Sequence, residues 1–220
     1  SYYVGHGNYE IDDYDWAIET GKIPEDYYVF WGYEDKKLFE NAKERVQELA
    51  SSEEPFNFTL LTVDTHFTEG YLCEDCPDLY DDQYTNVFAC SDQKVSEFVN
   101  WVMEQPWAED TVIILSGDHL CMRNSYFKDM PDGYERKTYV NVINSSKEES
   151  SDRRTYSTMD LFPTTLSALG ADIQGDRLGF GTDLYSDTPT LIEKYGESFL
   201  NCELSLRSLY YEANLLNKND

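Results

Sequence analysis

Two short apolar runs constrain the fold of this chain more than any other feature. Phe58-Thr59-Leu60-Leu61-Thr62-Val63 and Val112-Ile113-Ile114-Leu115 both read as strands buried in a sheet. Ahead of the first run, Leu38, Phe39, Ala42, Val46 and Leu49 share one helical face over 36–50, and Pro55 closes that helix. Between the runs, Val95, Phe98, Val99 and Val102 make a second stripe, with Ser91 as its N-cap. Residues 139–143 supply a third strand, and 160–169 a helix with Pro163 in its first turn and Gly170 as its stop. A last stripe runs through Phe199, Cys202, Leu206, Leu209, Ala213 and Leu216, which makes Cys202 a core residue. Helices alternating with buried strands predict an α/β fold with a largely parallel sheet and helices on both of its faces.

Charge narrows the partners. The 220 residues carry 17 basic and 43 acidic side chains, a net charge of −26. Such a polyanion is repelled by nucleic acid and by anionic lipid surfaces unless a cation intervenes, so nucleic-acid binding is excluded and metal-mediated handling of an anion is not. With 18 Tyr, 11 Phe and 4 Trp, the composition suits one packed domain over 1–220 rather than a disordered chain. No apolar run is long enough to span a bilayer, and the opening Ser1-Tyr2-Tyr3 reads as the start of a segment cut from a longer protein.

Chemistry gathers at the strand exits. The first run ends in Asp64-Thr65-His66 and the second in Ser116-Gly117-Asp118-His119, and the chain has only three His. Ligands of open α/β sheets bind beyond the carboxyl ends of the strands. An Asp-His pair there offers a carboxylate oxygen and an imidazole nitrogen to one divalent ion, and Gly117 lets backbone approach closely. A hydrogen-bonded loop His beside a turn Asp satisfies the same residues without metal. Asp160 is explained by helix capping. Among the five cysteines, Cys73-Glu74-Asp75-Cys76 with Cys90 and His66 could form a zinc site, or two of the thiols could close a disulfide. Cys121, two residues past His119, reads as buried rather than catalytic.

Several spaced motifs occur here in one order: Thr62-Val63-Asp64-Thr65-His66, Glu69-Gly70-Tyr71, Cys76, Cys90-Ser91, Ser116-Gly117-Asp118-His119-Leu120-Cys121-Met122, Thr158-Met159-Asp160-Leu161-Phe162-Pro163 and Gly175-Asp176-Arg177-Leu178-Gly179-Phe180-Gly181. Together they resemble the phosphoglycerol transferases that decorate periplasmic glucans and the lipoteichoic acid synthases, within the sulfatase-like branch of the alkaline phosphatase superfamily. The resemblance implies an alkaline-phosphatase/sulfatase-like sheet of which this chain is the C-terminal portion. It implies that Asp118 and His119 hold one divalent ion, most commonly Mn2+, with Mg2+ or Zn2+ as alternatives. It makes His66 the catalytic residue that meets the transferred head group or its leaving group, and it brings His6 and Asn8 to the substrate. Arg123 and Asn124, a few residues past the Asp-His pair, are candidates to touch a phosphate by position alone, and a surface role is the simpler reading of both. Trp16 is the candidate for the family's substrate-holding Trp, and Cys76 and Cys90 match a disulfide of the glucan-modifying relatives.

The family's Thr nucleophile and a further Glu ligand match nothing in this chain, so by itself it is expected to be inactive. In the intact enzyme, glycerol phosphate would pass from a phosphatidylglycerol-like lipid head group through a Thr-bound intermediate to a glycan or polyol acceptor. That reaction belongs at the extracellular face of the membrane or in the periplasm, with membrane contact only through segments outside the chain. Two other readings compete: a sulfatase or phosphodiesterase hydrolase of the same superfamily, and a non-catalytic domain that binds glycan or protein through its Tyr-rich edge.

Overall fold

A computed structural model describes residues 9–52, 54–148 and 153–216. They fall into two compact units, Ser1–Asp110 with Cys121–Glu135, and Thr111–Leu120 with Arg136–Asp220.

The first unit is helical. Helix α1 (Tyr14–Glu19) starts where Asp13 accepts a hydrogen bond from the Trp16 amide at 3.0 Å. Helix α2 (Asp35–Ser51) buries Phe39, Ala42 and Val46, the apolar face expected from the sequence. It packs on α3 (Gln83–Met103), which buries Tyr84, Val87, Cys90 and Val102, and Phe39 meets Phe98 with ring centroids 5.2 Å apart. Each fully buried Phe or Val contributes roughly 1.5–3 kcal/mol, enough to hold the pair together. Helix α3 begins nine residues earlier than Ser91 suggests, with its N-cap at Asp82. The Asp82 carboxylate accepts the Thr85 amide at 3.0 Å, and Ser91 is an interior position. The first turns went unread because their buried face is Tyr84, Asn86, Val87 and Cys90 rather than an aliphatic stripe.

Residues 58–63 are not a strand. The segment is extended, but among the described residues nothing pairs with it. Leu61 is exposed, and the Val63 amide donates to the Asp35 carboxylate at 2.7 Å instead of to a neighbouring strand. A strand needs a partner as well as a pattern.

In the second unit, β1 (Ile113–Ser116) pairs with β2 (Val140–Ile143), Ile113 opposite Ile143 and Ser116 opposite Val140. The pairing is antiparallel, which corrects the parallel expectation. The 117–139 connection leaves one end of β1 and returns to that same end, whereas a parallel pair needs a crossover to the other. Nor is β1 covered on both faces, since its residues are half-buried or exposed. Helix α4 (Leu161–Ala168) ends near Gly170, which takes the left-handed φ of +89°. Asp160, 2% exposed, ties this helix start to a small hairpin of β3 (Arg177–Leu178) and β4 (Gly181–Thr182). Its carboxylate accepts the Ser157 amide at 2.8 Å and the Thr182 amide at 2.8 Å. A side chain at Gly181 would put its Cβ 2.1 Å from the Met159 carbonyl, so this close approach requires glycine.

Helix α5 (Leu191–Tyr195) precedes the C-terminal stripe, which is itself broken between α6 (Glu197–Leu204) and α7 (Leu209–Tyr211). Cys202 is exposed, not in the core. Leu200 is the buried residue of α6, and two positions along a helix is about 200° around it, the opposite face. Among the described residues no helix is long and apolar enough to cross a membrane. The mixture of helices and small sheets fits the α/β class.

Candidate active site

His66 stands on a loop of the first unit that is built over buried charge. Asp35 and Asp64 are 0% and 2% exposed. Asp35 Oδ1 accepts the Val63 amide at 2.7 Å and Oδ2 the Asp64 amide at 3.3 Å, while Asp64 Oδ1 accepts the Asp35 amide at 3.1 Å. Lys94 Nζ reaches Asp64 Oδ2 at 3.3 Å. Two reciprocal carboxylates thus fix the turn that ends with the His66 amide donating to the Val63 carbonyl at 2.9 Å. Burial, and next the charge of Asp64, push the Asp35 carboxyl up to about 6. Burial also raises Asp64. Asp64 is therefore a structural residue of this loop, and its carboxylate is turned inward rather than toward a crevice.

The loop closes by further ties. Tyr84 Oη donates to the Thr65 carbonyl and the Tyr71 amide to the Asp64 carbonyl, both at 2.8 Å. Gly70 lies at φ +65°, and a Cβ there would fall 2.7 Å from the Asp64 carbonyl oxygen and 2.8 Å from Val87 Cγ1. Only glycine fits.

The half-buried His66 ring packs on Trp31, centroids 4.4 Å apart. Its Nδ1 is 2.9 Å from the Phe67 carbonyl oxygen. A carbonyl only accepts, so Nδ1 carries the hydrogen and Nε2 keeps a lone pair for a proton or a ligand.

The second unit repeats this device in a barer setting. His119 Nδ1 is 2.8 Å from the Leu120 carbonyl oxygen, which again leaves Nε2 as the lone-pair nitrogen. That nitrogen lies 3.4 Å from Asp118 Oδ2, while Asp118 Oδ1 accepts the His119 amide at 2.8 Å. Both side chains are more than half exposed. A proton on Nε2 makes this contact a salt bridge, and a divalent ion between the two atoms would satisfy both of them equally. The donor set, one oxygen and one nitrogen whose ring is already oriented through Nδ1, fits a divalent ion of the Mn2+, Mg2+ or Zn2+ kind. Gly117 is not sterically required within this unit, since a Cβ would meet Thr138 at an ordinary 3.4 Å.

Arg123 lies in the first unit, 3.1 Å from Glu69 Oε2 and 3.4 Å from Asp82 Oδ1, contacts that are ionic rather than directed hydrogen bonds. Its guanidinium also covers the Tyr84 ring at 5.4 Å. His6 and Asn8 lie outside the described residues. Trp16 sits on α1, and Trp31 is the indole placed against His66. Cys76 and Cys90 form the expected disulfide, Cα atoms 5.5 Å apart, tying the Asp-rich loop to α3. Sequence reasoning overlooked Asp35, Lys94, Trp31 and Tyr84. Asp35 looks like an ordinary first-turn acid of a helix, and no local pattern marks the other three.

The sulfatase family model matches residues 1–171. The chain is 32% identical over 178 residues to phosphoglycerol transferase I of Escherichia coli (strain 55989 / EAEC), covering 78% of this chain and 22% of that protein. The same identity and coverage hold for phosphoglycerol transferase I of E. coli O139:H28 (strain E24377A / ETEC) and of Shigella boydii serotype 18. The chain thus spans about a fifth of the length of the curated relatives it matches. No solved structure matches it. With a family match over most of its length, beginning before the His66 loop and ending beyond α4, this chain belongs to the sulfatase family, and within it the chain is similar to the phosphoglycerol transferases.

Proposed function

We propose that the chain is the C-terminal part of the catalytic domain of a metal-dependent phosphoglycerol transferase. Glycerol phosphate would move from a phosphatidylglycerol-like donor to a glycan or polyglycerol-phosphate acceptor. The observation that carries this reading is the Asp118–His119 pair, a carboxylate oxygen and an imidazole lone pair 3.4 Å apart on an exposed loop. Similarity to phosphoglycerol transferase I supports the choice of reaction.

Asp118 Oδ2 and His119 Nε2 would hold one divalent ion, Mn2+ by preference. Once bound, the ion supplies neutralisation of the charge on the phosphoryl oxygens. For a chain of charge −26 this is what makes an anionic substrate tolerable. His66 exchanges a proton through Nε2, since Nδ1 is committed to the Phe67 carbonyl and Trp31 holds the ring plane. Arg123 reaches a substrate phosphate only by exchanging Glu69 and Asp82 for it. By resemblance, His6 and Asn8 would contact the head group. The nucleophile comes from outside these 220 residues, so the chain alone transfers nothing. A disulfide suits an oxidising compartment, here the extracellular membrane face or the periplasm.

The test is transfer of labelled glycerol phosphate by the full-length protein, with its wild-type and His119→Ala forms compared across added Mn2+. Expected is a loss of roughly 100-fold in the variant, relieved in part by excess metal. Hydrolysis of the donor with no acceptor labelling would contradict the transferase reading. An activity indifferent to both metal and His119 would contradict the site.

A further inference from the structure

The first unit also holds a cluster of sulfur and charge that the proposed reaction does not use. Cys73, a thiol 4% exposed, has its Sγ 3.2 Å from Cys76 Sγ, which is bonded to Cys90. All three sulfurs lie within 4.8 Å of one another. Lys94 Nζ is 2.9 Å from Cys73 Sγ, and Lys94 stands one helical turn beyond Cys90 on α3. That contact sets a positive charge beside the Cys73 sulfur. Burial alone would pull the Lys94 pKa down, but the bond to Cys73 and the charge of Asp64 outweigh it, and Lys94 stays cationic. A nucleophilic sulfur, an electrophilic disulfide and a fixed positive charge therefore meet in one place. A metal held by the three sulfurs would first require the disulfide to be reduced. Exchange among them requires nothing from outside.

We propose that Cys73 is the attacking thiolate of an internal thiol–disulfide exchange site. Its Sγ bonds to Cys76 Sγ, the Cys76–Cys90 bond breaks, and Cys90 leaves as a thiolate with the bonding pair. One sulfur–sulfur bond forms and one breaks, with no net oxidation or reduction. The negative charge moves from Cys73 to Cys90, four residues from Lys94 on the same helix face. The product is a Cys73-x-x-Cys76 bridge local to the loop, and α3 loses its covalent tie to that loop. Lys94 also bonds Asp64, so the exchange changes the partners of a cation that supports the His66 turn. Cys90 and Lys94 line one cleft of about 380 Å³ with Lys36, Gln93 and Phe98, which lets small thiols reach the released sulfur.

The test is disulfide mapping by mass spectrometry on the oxidised protein, incubated at about pH 8, quenched in acid and alkylated while denatured. Two isomers are expected: Cys76–Cys90 with Cys73 alkylated, and Cys73–Cys76 with Cys90 alkylated. Lys94→Met slows the approach to this mixture roughly tenfold, and Lys94→Arg restores it. A wild-type protein in which Cys90 is never alkylated overturns the proposal. Cys90→Ser, confirmed as folded by circular dichroism and placed in a glutathione redox buffer, gives an independent reading. Formation of the Cys73–Cys76 bond supports the proposal, and a lasting Cys76–glutathione disulfide beside reduced Cys73 overturns it. Neither measurement depends on transferase activity.

Discussion

His66 and His119 use the same local device and rest on opposite kinds of support. In each, Nδ1 is fixed by the carbonyl of the following residue and Nε2 keeps the lone pair. Beneath His66 lie two buried carboxylates, a lysine and a tyrosine that hold the backbone in place. Beside His119 is an exposed carboxylate, with both side chains more than half open to water. The first loop is organised by the protein around it. The second presents a carboxylate oxygen and an imidazole nitrogen to solvent. On the proposed reading, the difference suits His66 to proton handling, which needs a fixed position, and His119 to ligation, which needs an accessible lone pair.

Removing the support should break the first loop and spare the second. Asp35→Ala strips the buried Asp64 amide and the half-buried Val63 amide of their acceptor and should destabilise the protein by about 3 kcal/mol in urea unfolding. A cost below about 1 kcal/mol would mean that water replaces the carboxylate and that the loop is not organised as described.

Titration sharpens the comparison. The folded-state pKa of Asp35 is raised from 3.8 to about 6, so the folded protein binds the extra proton. This group's relative stabilisation is complete below pH 3.8 and is lost as pH rises through about 6. The full swing is at most about 3 kcal/mol. Asp35→Asn should flatten unfolding free energy against pH across that window, and an unchanged profile would contradict the burial argument. Glu193 in the second unit behaves in the opposite sense. Its hydrogen bond with Arg154 leads the causes that lower its pKa from 4.5 to about 2, so its stabilisation is present above pH 4.5 and lost toward pH 2. The pair is partly exposed, so Glu193→Gln should cost only about 1 kcal/mol at neutral pH, less at high salt.

The smallest effect on stability falls on the Asp118–His119 pair. Asp118→Ala should change stability by less than about 0.5 kcal/mol, because an exposed carboxylate supports little of the fold. A large loss of stability there would assign the pair to structure instead of to ligand binding.

What could be read from the sequence follows the range of the interactions involved. Helix α2, the end of α4 at Gly170 and the strand over 140–143 came from local periodicity and turn chemistry, and appear where expected. The course of 58–63, unpaired among the described residues, and the antiparallel partner of β1 depend on residues distant in sequence, which periodicity does not carry. The same holds at the site. His66, Asp118 and His119 stood out by residue type and placement after apolar runs. Asp35, 29 positions before Asp64, and Lys94, 30 after it, are joined to that loop only by folding. Cys202 misled because a helical stripe fixes a face without saying whether anything covers it.

Manganese-induced broadening of the histidine ring signals in proton NMR tests the central claim most directly, since the chain has three histidines to resolve. Mn2+ should broaden the His119 signals before those of His66, and Asp118→Asn should abolish that selectivity. Broadening of His119 that is no stronger than at His66, or that survives Asp118→Asn unchanged, would contradict a metal centre at this pair.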